Sequence, residues 1–345
     1  MPMMQAGIYY GPCDIRLEDI AIPSLKATHV LIDTKSSGIC GSDLHRYYGR
    51  WDQPKTKVAT GHELSGIVIE VGDQVSGIKE GDRVCAECFS HCGVCHFCQV
   101  GLYNLCNDIQ YLSQVGPGGF AEYALLAGTS LFKLPDKVTF EEGALVEPLA
   151  VAYRAVMQAQ LTPLDRVAIL GAGTIGLLCL AVAKSMGLHT TITAKYEHQV
   201  NLAHKFGADH VIQAGHQDIA YEIEIITQNR GVDSVVDTIG AAQTFSEATQ
   251  IIRKGGTICL VGGYTDSLKL FLAPIVSKEL QIRGSSCYGY SSLKKDFDAA
   301  ISLIATNQVD AISIVTHRFP LQDIAKAFSV AADKTTGSVK VLLNQ

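Results

Sequence analysis

Eleven of the 345 residues are cysteine, and six of these fall between Cys85 and Cys106. Cys92, Cys95, Cys98 and Cys106 follow a C-x2-C-x2-C-x7-C spacing. Four thiolates held close together satisfy a tetrahedral zinc ion and leave no position for a substrate, which makes such a site structural. Cys85 and Cys88 form another C-x-x-C pair just upstream, and His91 and His96 are further donors, so spacing alone leaves the ligand set open. Disulfides are the competing reading. The opening MPMMQAGIYYG, however, has neither the basic start nor the apolar run of a secretory signal. A cytoplasmic chain of this size is expected to use clustered thiols for metal.

A second set of donors is more dispersed. Cys40-Gly41-Ser42-Asp43-Leu44-His45 lies in one segment, Gly61-His62-Glu63 in another, and Glu147-Pro148 in a third. One thiolate, one imidazole and a carboxylate hold zinc while leaving room for a substrate, which is the pattern of a catalytic site.

A third motif is Gly171-Ala172-Gly173-Thr174-Ile175-Gly176. It follows the apolar run Val167–Leu170, which reads as a strand buried on both faces, and opens a helical run to about Met186. The first glycine permits the tight turn, the second lets backbone approach a pyrophosphate, and the third allows close helix–strand packing. The helix N-terminus then favours the phosphate charge. Strands are expected at Thr190–Ala194, His210–Ile212, Gly231–Asp237, Gly256–Val261 and Leu280–Gly284, with a helix from about His198 to Phe206. Six strands alternating with helices define an α/β, doubly wound parallel sheet.

The dinucleotide residues are then Gly171, Gly173, Thr174, Ile175 and Gly176, with Ala194 and Lys195 ending the second strand and Val261 ending the fifth. An NAD site usually places an acid about 20 residues on, to bind the adenosine ribose. Here Thr193-Ala194-Lys195-Tyr196 supplies no acid and follows directly with a cation, which suits a 2′-phosphate and favours NADP over NAD. A charge-assisted hydrogen bond of roughly 1.5–3 kcal/mol gives about a tenfold to hundredfold preference. The competing reading makes Lys195 a solvated loop lysine and gives the acid's role to Glu197.

The elements around these motifs divide the chain. Before residue 150 the sequence reads as β-rich and irregular, with strands at Val30–Lys35, Leu64–Val71 and Gly81–Cys85 and the cysteine cluster in a loop. After Ser285 the βα alternation stops; Leu293–Ala305 reads as a helix and Ser338–Leu343 as a last strand returning to the first domain. With 47% hydrophobic residues there is apolar material for a core in each half. The net charge of -6 and the absence of a basic block give no support to nucleic-acid or membrane-surface binding. The most apolar stretch, Val167–Val182, is interrupted by glycines and belongs to the dinucleotide motif.

Taken together, the chain resembles the zinc-dependent medium-chain alcohol dehydrogenases, within them the polyol and diol branch typified by sorbitol dehydrogenase. The resemblance runs nearly end to end. Its anchors are the 40–45 and 61–63 segments, the 92/95/98/106 spacing, Leu134-Pro135-Asp136, the run Glu142 to Leu149, the glycine turn, and Thr316-His317-Arg318-Phe319-Pro320-Leu321. It implies a GroES-like catalytic domain of residues 1–150 with 286–345, and a Rossmann domain of residues 151–285. It also implies two zinc ions per chain: a structural one on Cys92, Cys95, Cys98 and Cys106, and a catalytic one on Cys40, His62 and a glutamate. Glu63 and Glu147 both qualify; Glu147 stands where other alcohol dehydrogenases carry a second cysteine. Asp43 is implied as the residue that orients His62.

The reaction implied is reversible oxidation of a secondary alcohol, a vicinal diol or small polyol, to a ketone with NAD(P). Zinc lowers the pKa of the hydroxyl, Ser42 takes the proton and passes it by way of the nicotinamide ribose to His45, which faces solvent, and the carbinol carbon gives up a hydride. Sorbitol dehydrogenases resemble one another in an Arg-Tyr pair near the start of the C-terminal segment. Cys287-Tyr288 stands there in this chain and is more similar to the butanediol dehydrogenases. Tyr47, Tyr111, Phe120 and Tyr288 are either pocket walls or simple packing. Threonine, sugar or sugar-phosphate oxidation is the alternative within the same chemistry, and a non-catalytic nucleotide-binding relative is the alternative outside it. A homodimer or homotetramer is expected, with a small-molecule substrate as the other partner.

Overall fold

The alternation expected after Arg166 is realised as six parallel strands. Their spatial order is His210–Gln213, His189–Ala194, Arg166–Leu170, Val232–Asp237, Ile252–Leu260 and Gln281–Gly284. The first strand in sequence therefore lies mid-sheet, and the order reverses beside it, as in a doubly wound nucleotide fold. Val167, Ala168, Ile169 and Leu170 are all buried, as are Val235 and Val236. Strands covered on both faces need such continuous apolar runs. Leu170, Ile223, Val235, Ile251 and Ile258 pack into one core against the neighbouring helices.

The computed structural model describes residues 2–50, 59–112, 116–264 and 267–345. The chain forms two compact units. One comprises Met1–Glu147, Phe297–Asn307 and Ala311–Gln345; the other comprises Pro148–Asp296 and Gln308–Asp310. In the first unit the strand His29–Gly38 pairs on one side with Glu63–Val71 and, by different residues, with Tyr123–Ala127 and the closing strand Lys340–Asn344. The C-terminal strand thus completes a sheet begun three hundred residues earlier in the chain, roughly the full length of the polypeptide.

Three details differ from the sequence reading. The helix expected from Leu293 begins at Asp296, because Lys294–Lys295 pairs instead with Tyr290–Ser291 in a short hairpin. Asp296 is fully buried there and accepts bonds from the Gly289 N–H at 2.7 Å and from Arg154 at 3.2 Å, which fixes where the helix starts. The cysteine segment contains a short helix, His96–Gln99, within its loop. A hairpin of Met3–Gly11 with Asp14–Ala21, which lacks a strong period-two pattern, was not legible in the sequence.

One polar clamp ties the edge strand His210–Gln213 of the nucleotide unit to its neighbour His189–Ala194. Lys184 bonds both Asp209 carboxylate oxygens at 3.0 and 2.9 Å, and the Thr190 N–H and hydroxyl bond the same group at 2.8 and 2.9 Å. Burial opposes ionisation of Asp209, but these donors outweigh it and hold its pKa down to about 2. The unfolded value is about 3.9, so the contribution is present above that pH and is lost as pH falls through about 2. Asp209→Asn is expected to lower stability at pH 7 by about 1 kcal/mol after solvent screening. Denaturation curves should show the deficit fading between about pH 4 and pH 2; a deficit independent of pH would contradict this assignment.

Candidate functional site

The four thiols of the cysteine loop meet. Sγ–Sγ separations are 3.5 Å for Cys92–Cys106, 3.6 Å for Cys95–Cys98, 3.9 Å for Cys95–Cys106 and 4.0 Å for Cys92–Cys98. Four sulfurs about 2.3 Å from a common centre at tetrahedral angles stand roughly 3.8 Å apart, so the spacing fits a zinc ion. Backbone N–H groups of Cys92, Cys95 and Asp108 point at the sulfurs at 3.3–3.4 Å, as thiolates require. The N–H groups of Asn107 and Cys98 pull Cys95 down to about 6, whereas burial and a bond to Cys95 push Cys98 up to about 12. The ambiguity of the upstream pair ends here, because Cys85 is buried in the sheet strand Arg83–Ala86 and neither it nor Cys88 joins the converging group. His91 Nδ1 lies 3.6 Å from Cys98 Sγ, at the edge of the cluster.

The second donor set is built on the junction of a strand and a short helix. Cys40 is the N-cap of the helix Gly41–Tyr47, in extended conformation. Its backbone N–H donates to Asp43 Oδ2 at 3.0 Å, and Asp43 Oδ1 lies 4.0 Å from His62 Nδ1. One buried carboxylate therefore both caps the helix and faces the imidazole. The other ring nitrogen, Nε2, is 3.5 Å from Ser42 Oγ. Ligand atoms of Cys40, His62 and Glu63 all lie within 4.8 Å of one another. Glu147 stands outside that group but is buried, and its charge reaches His62.

The electrostatics of this pocket favour a cation. Burial alone would depress the pKa of His62, yet the charges of Asp43, Cys40 and Glu147 together raise it well above the usual imidazole value. Burial likewise raises the Asp43 carboxyl, opposed by the His62 charge. A thiolate, an imidazole and carboxylates in a buried, negatively charged pocket form the donor chemistry of an open zinc site.

Packing explains why the short helix holds its place. Ile39 and Tyr47 belong to a core with Ile324, Phe328, Val341 and Leu343 from the C-terminal segment. Tyr47 and Phe120 each meet the Phe328 ring at 5.4 Å, and Tyr288 is fully buried, so these three are packing rather than pocket walls. Tyr111 is exposed and pairs with Phe89 in the strand beside the cysteine loop. His45 lies one turn after Ser42 and is half-buried, with part of its surface exposed. Cys287 takes φ 48°, which is unfavourable for a residue with a side chain.

The nucleotide turn shows a geometric reason for its glycines. Gly171 has φ +99°, and a Cβ on Gly176 would fall 1.8 Å from the Gly171 carbonyl oxygen. A Cβ on Gly173 would meet nothing within 4 Å, so the missing side chain leaves an open cradle at the N-terminus of the helix Thr174–Ser185. Gly173 is the N-cap of that helix and no side chain caps it, which suits an anion such as a pyrophosphate. The Gly171 N–H is tied to Thr193 Oγ1 at 2.8 Å, next to Ala194 and Lys195. Gln199 Oε1 accepts from the Lys195 and Tyr196 N–H groups at 3.1 and 3.3 Å, setting the turn after the second strand. Val261 donates its N–H to Asp237 O at 2.9 Å, at the end of the fourth strand.

Lys340 escaped the sequence reading. It is buried in the closing strand and bonds both Glu63 carboxylate oxygens. The signal was present as a lone lysine in Val339-Lys340-Val341-Leu342-Leu343, where an ammonium must find a buried anion.

Residues 26–136 match the family model of the alcohol dehydrogenase GroES-like domain, and residues 174–306 that of the zinc-binding dehydrogenases. Sorbitol dehydrogenase of Bacillus subtilis (strain 168) is 33% identical, across 99% of this chain and 97% of its own. D-arabitol-phosphate dehydrogenase of Enterococcus avium is 35% identical, across 90% and 88%. The crystal structure of 2R,3R-butanediol dehydrogenase from Bacillus subtilis superposes with a TM-score of 0.88 at 32% identity, covering 99% of each chain. The chain belongs to the zinc-type medium-chain polyol dehydrogenase family. It is accordingly a zinc-dependent, NAD(P)-linked oxidoreductase acting on CH–OH donors.

Asp43 offers a direct test of the open site. Asp43→Asn keeps the size of the side chain but removes the charge facing His62. Zinc affinity in competition with a chelator is expected to fall about 10- to 100-fold; an unchanged affinity would show that Asp43 only caps its helix.

Proposed function

We propose that this protein reversibly oxidises a secondary alcohol, a vicinal diol or small polyol, to a ketone, with NADP preferred over NAD. The observation that carries the reading is the convergence of Cys40, His62 and Glu63 within 4.8 Å, with Ser42 Oγ beside the His62 Nε2 edge. Cys40 and His62, with Glu63 or Glu147, would hold the catalytic zinc, and Cys92, Cys95, Cys98 and Cys106 the structural one. Zinc bound at the open site supplies a Lewis acid that favours the ionised form of a substrate hydroxyl. Ser42 accepts the hydroxyl proton. His45, one turn further along the same helix, receives it and exchanges it with solvent. Asp43 keeps His62 in one orientation throughout. Ser42→Ala should therefore cut turnover about 100-fold or more while zinc content stays at two per chain; an unchanged rate would refute the relay.

The cofactor preference rests on Ala194 and Lys195. The second strand ends without a carboxylate, and the Lys195 side chain is exposed, its Nζ 5.6 Å from the Tyr196 ring centre. A 2′-phosphate meets no anion at the strand end and has one cation within reach, with Gly171, Gly173, Thr174, Ile175 and Gly176 receiving the pyrophosphate. In steady-state kinetics kcat/KM for NADP should exceed that for NAD by about tenfold to a hundredfold, and Lys195→Ala should erase the difference. A higher kcat/KM for NAD would overturn the preference.

Cys287 in place of an arginine supports a short diol over a long polyol, and the likeness to a butanediol dehydrogenase runs the same way. A sugar phosphate is the second reading, favoured by the D-arabitol-phosphate dehydrogenase relative. Nicotinamide absorbance with diols, polyols, hydroxy-amino acids and sugar phosphates separates these readings. The chain also fits self-association through its nucleotide unit, as a dimer or tetramer. The strand Gln281–Gly284 lies at a sheet edge, and Phe271, Leu272, Val276 and Ile282 are exposed nearby in sequence. Among the described residues no helix is long and apolar enough to cross a membrane. A thiol-rich donor set suits the cytoplasm.

A further inference from the structure

Lys340 joins the two segments that carry the open-site donors. Its side chain is 1% exposed, as is that of Glu63. An ammonium has three N–H donors, and this one has three acceptors: Glu63 Oε1 at 2.8 Å, Glu63 Oε2 at 2.6 Å and the Ile39 carbonyl at 3.0 Å. Ile39 immediately precedes Cys40, and Glu63 immediately follows His62. A single buried cation from the end of the chain thus holds the backbone before one donor and the side chain after another.

The surrounding backbone is shaped for this contact. Gly38 faces Glu63 across the paired strands, and a Cβ at residue 38 would lie 2.0 Å from Glu63 Oε2. The missing side chain leaves the space in which the carboxylate lies. Leu342 pairs with the same Gly38, and the Ile39 N–H donates to Val341 O at 3.0 Å, so the register of the closing strand places Lys340 over the site. Replacing a buried ion pair by apolar side chains of similar volume is commonly neutral or stabilising, so stability alone gives weak grounds for this pair.

We propose that Lys340 is a positioning residue that governs how Glu63 meets the catalytic metal. This rests on the zinc reading above. Both Glu63 oxygens share their lone pairs with the ammonium, which makes Glu63 a weak, exchangeable donor and leaves a metal position open to substrate. Lys340 also sets one positive charge against Cys40, Glu63 and Glu147, the anions that face it. Without it, Glu63 is free to bind the metal firmly and close the site. Removing the lysine is therefore expected to tighten metal binding while slowing turnover, the reverse of what loss of a merely structural brace would do.

The test uses the full-length protein carrying cobalt at the Cys40 site and zinc in the four-thiol loop. Lys340→Met should slow release of cobalt to a chelator by about tenfold or more. It should also weaken the visible cobalt absorption, as a four-coordinate ion gains a ligand, and Lys340→Arg should restore both. Cobalt release at the wild-type rate or faster, with an unchanged spectrum, would overturn the proposal. If Lys340→Met does not fold, the neutral pair Glu63→Gln with Lys340→Met replaces it. Should Lys340 act through Glu63, this double variant must match Glu63→Gln alone in release rate and spectrum, and a further change from Lys340→Met in that background would refute the role. Failure of the wild-type protein to bind cobalt at the Cys40 site would instead refute the zinc reading itself.

Discussion

The first unit is organised around a charge that has to be balanced. Cys40 and Glu63 converge with His62, Asp43 faces its ring, and the charge of Glu147 reaches it, with all three carboxylates buried. Anions cannot be gathered in a low-dielectric site without cations or hydrogen-bond donors to match them. The chain answers with the Cys40 N–H, the His62 ring and the Lys340 ammonium, and it leaves the remaining demand for a metal ion. Much of the topology of this unit follows. Lys340 reaches Glu63 through the pairing of the closing strand with His29–Gly38, and Phe328 packs against Tyr47 on the helix bearing Ser42.

The nucleotide unit meets a different constraint. A dinucleotide carries its charge at the pyrophosphate, and a helix N-terminus reached through a narrow backbone turn can face that charge without a side chain between them. The left-handed Gly171, the tight Gly176 contact and the open Gly173 position are three answers to that single requirement. Asp237 performs a comparable service at the end of the fourth strand, where its buried carboxylate accepts from the Ile239 and Gly240 N–H groups and from the Thr244 and Tyr264 hydroxyls. The loops around the switch point are thereby fixed by polar bonds, where apolar packing has little to offer a surface that must stay open.

On the function proposed above, zinc and nucleotide binding fall to separate units with separate physics. One unit concentrates negative charge for a cation, and the other concentrates positive backbone dipoles for an anion. A dehydrogenase of this family needs both, since a Lewis acid favours the ionised hydroxyl and the nicotinamide accepts the hydride.

Much of this was legible in the sequence because it depends on local order along the chain. The thiol spacing, the glycine turn after an apolar strand, and the alternation of buried strands with helices are local patterns, and each carries its chemistry in residue type and separation. The Cys40–His45 helix belongs with them, since its cap and its Ser42–His45 register are set within seven residues. What only the tertiary structure decided depends on contacts between distant segments. These include the exclusion of Cys85 and Cys88 from the thiol cluster, the burial of Tyr47, Phe120 and Tyr288, and the closeness of Glu63 rather than Glu147 to Cys40 and His62. Foremost is the pairing of Glu63 with Lys340, 277 residues apart. No short-range pattern encodes such a contact, because the desolvation that makes it strong arises only when the sheet has closed over both groups.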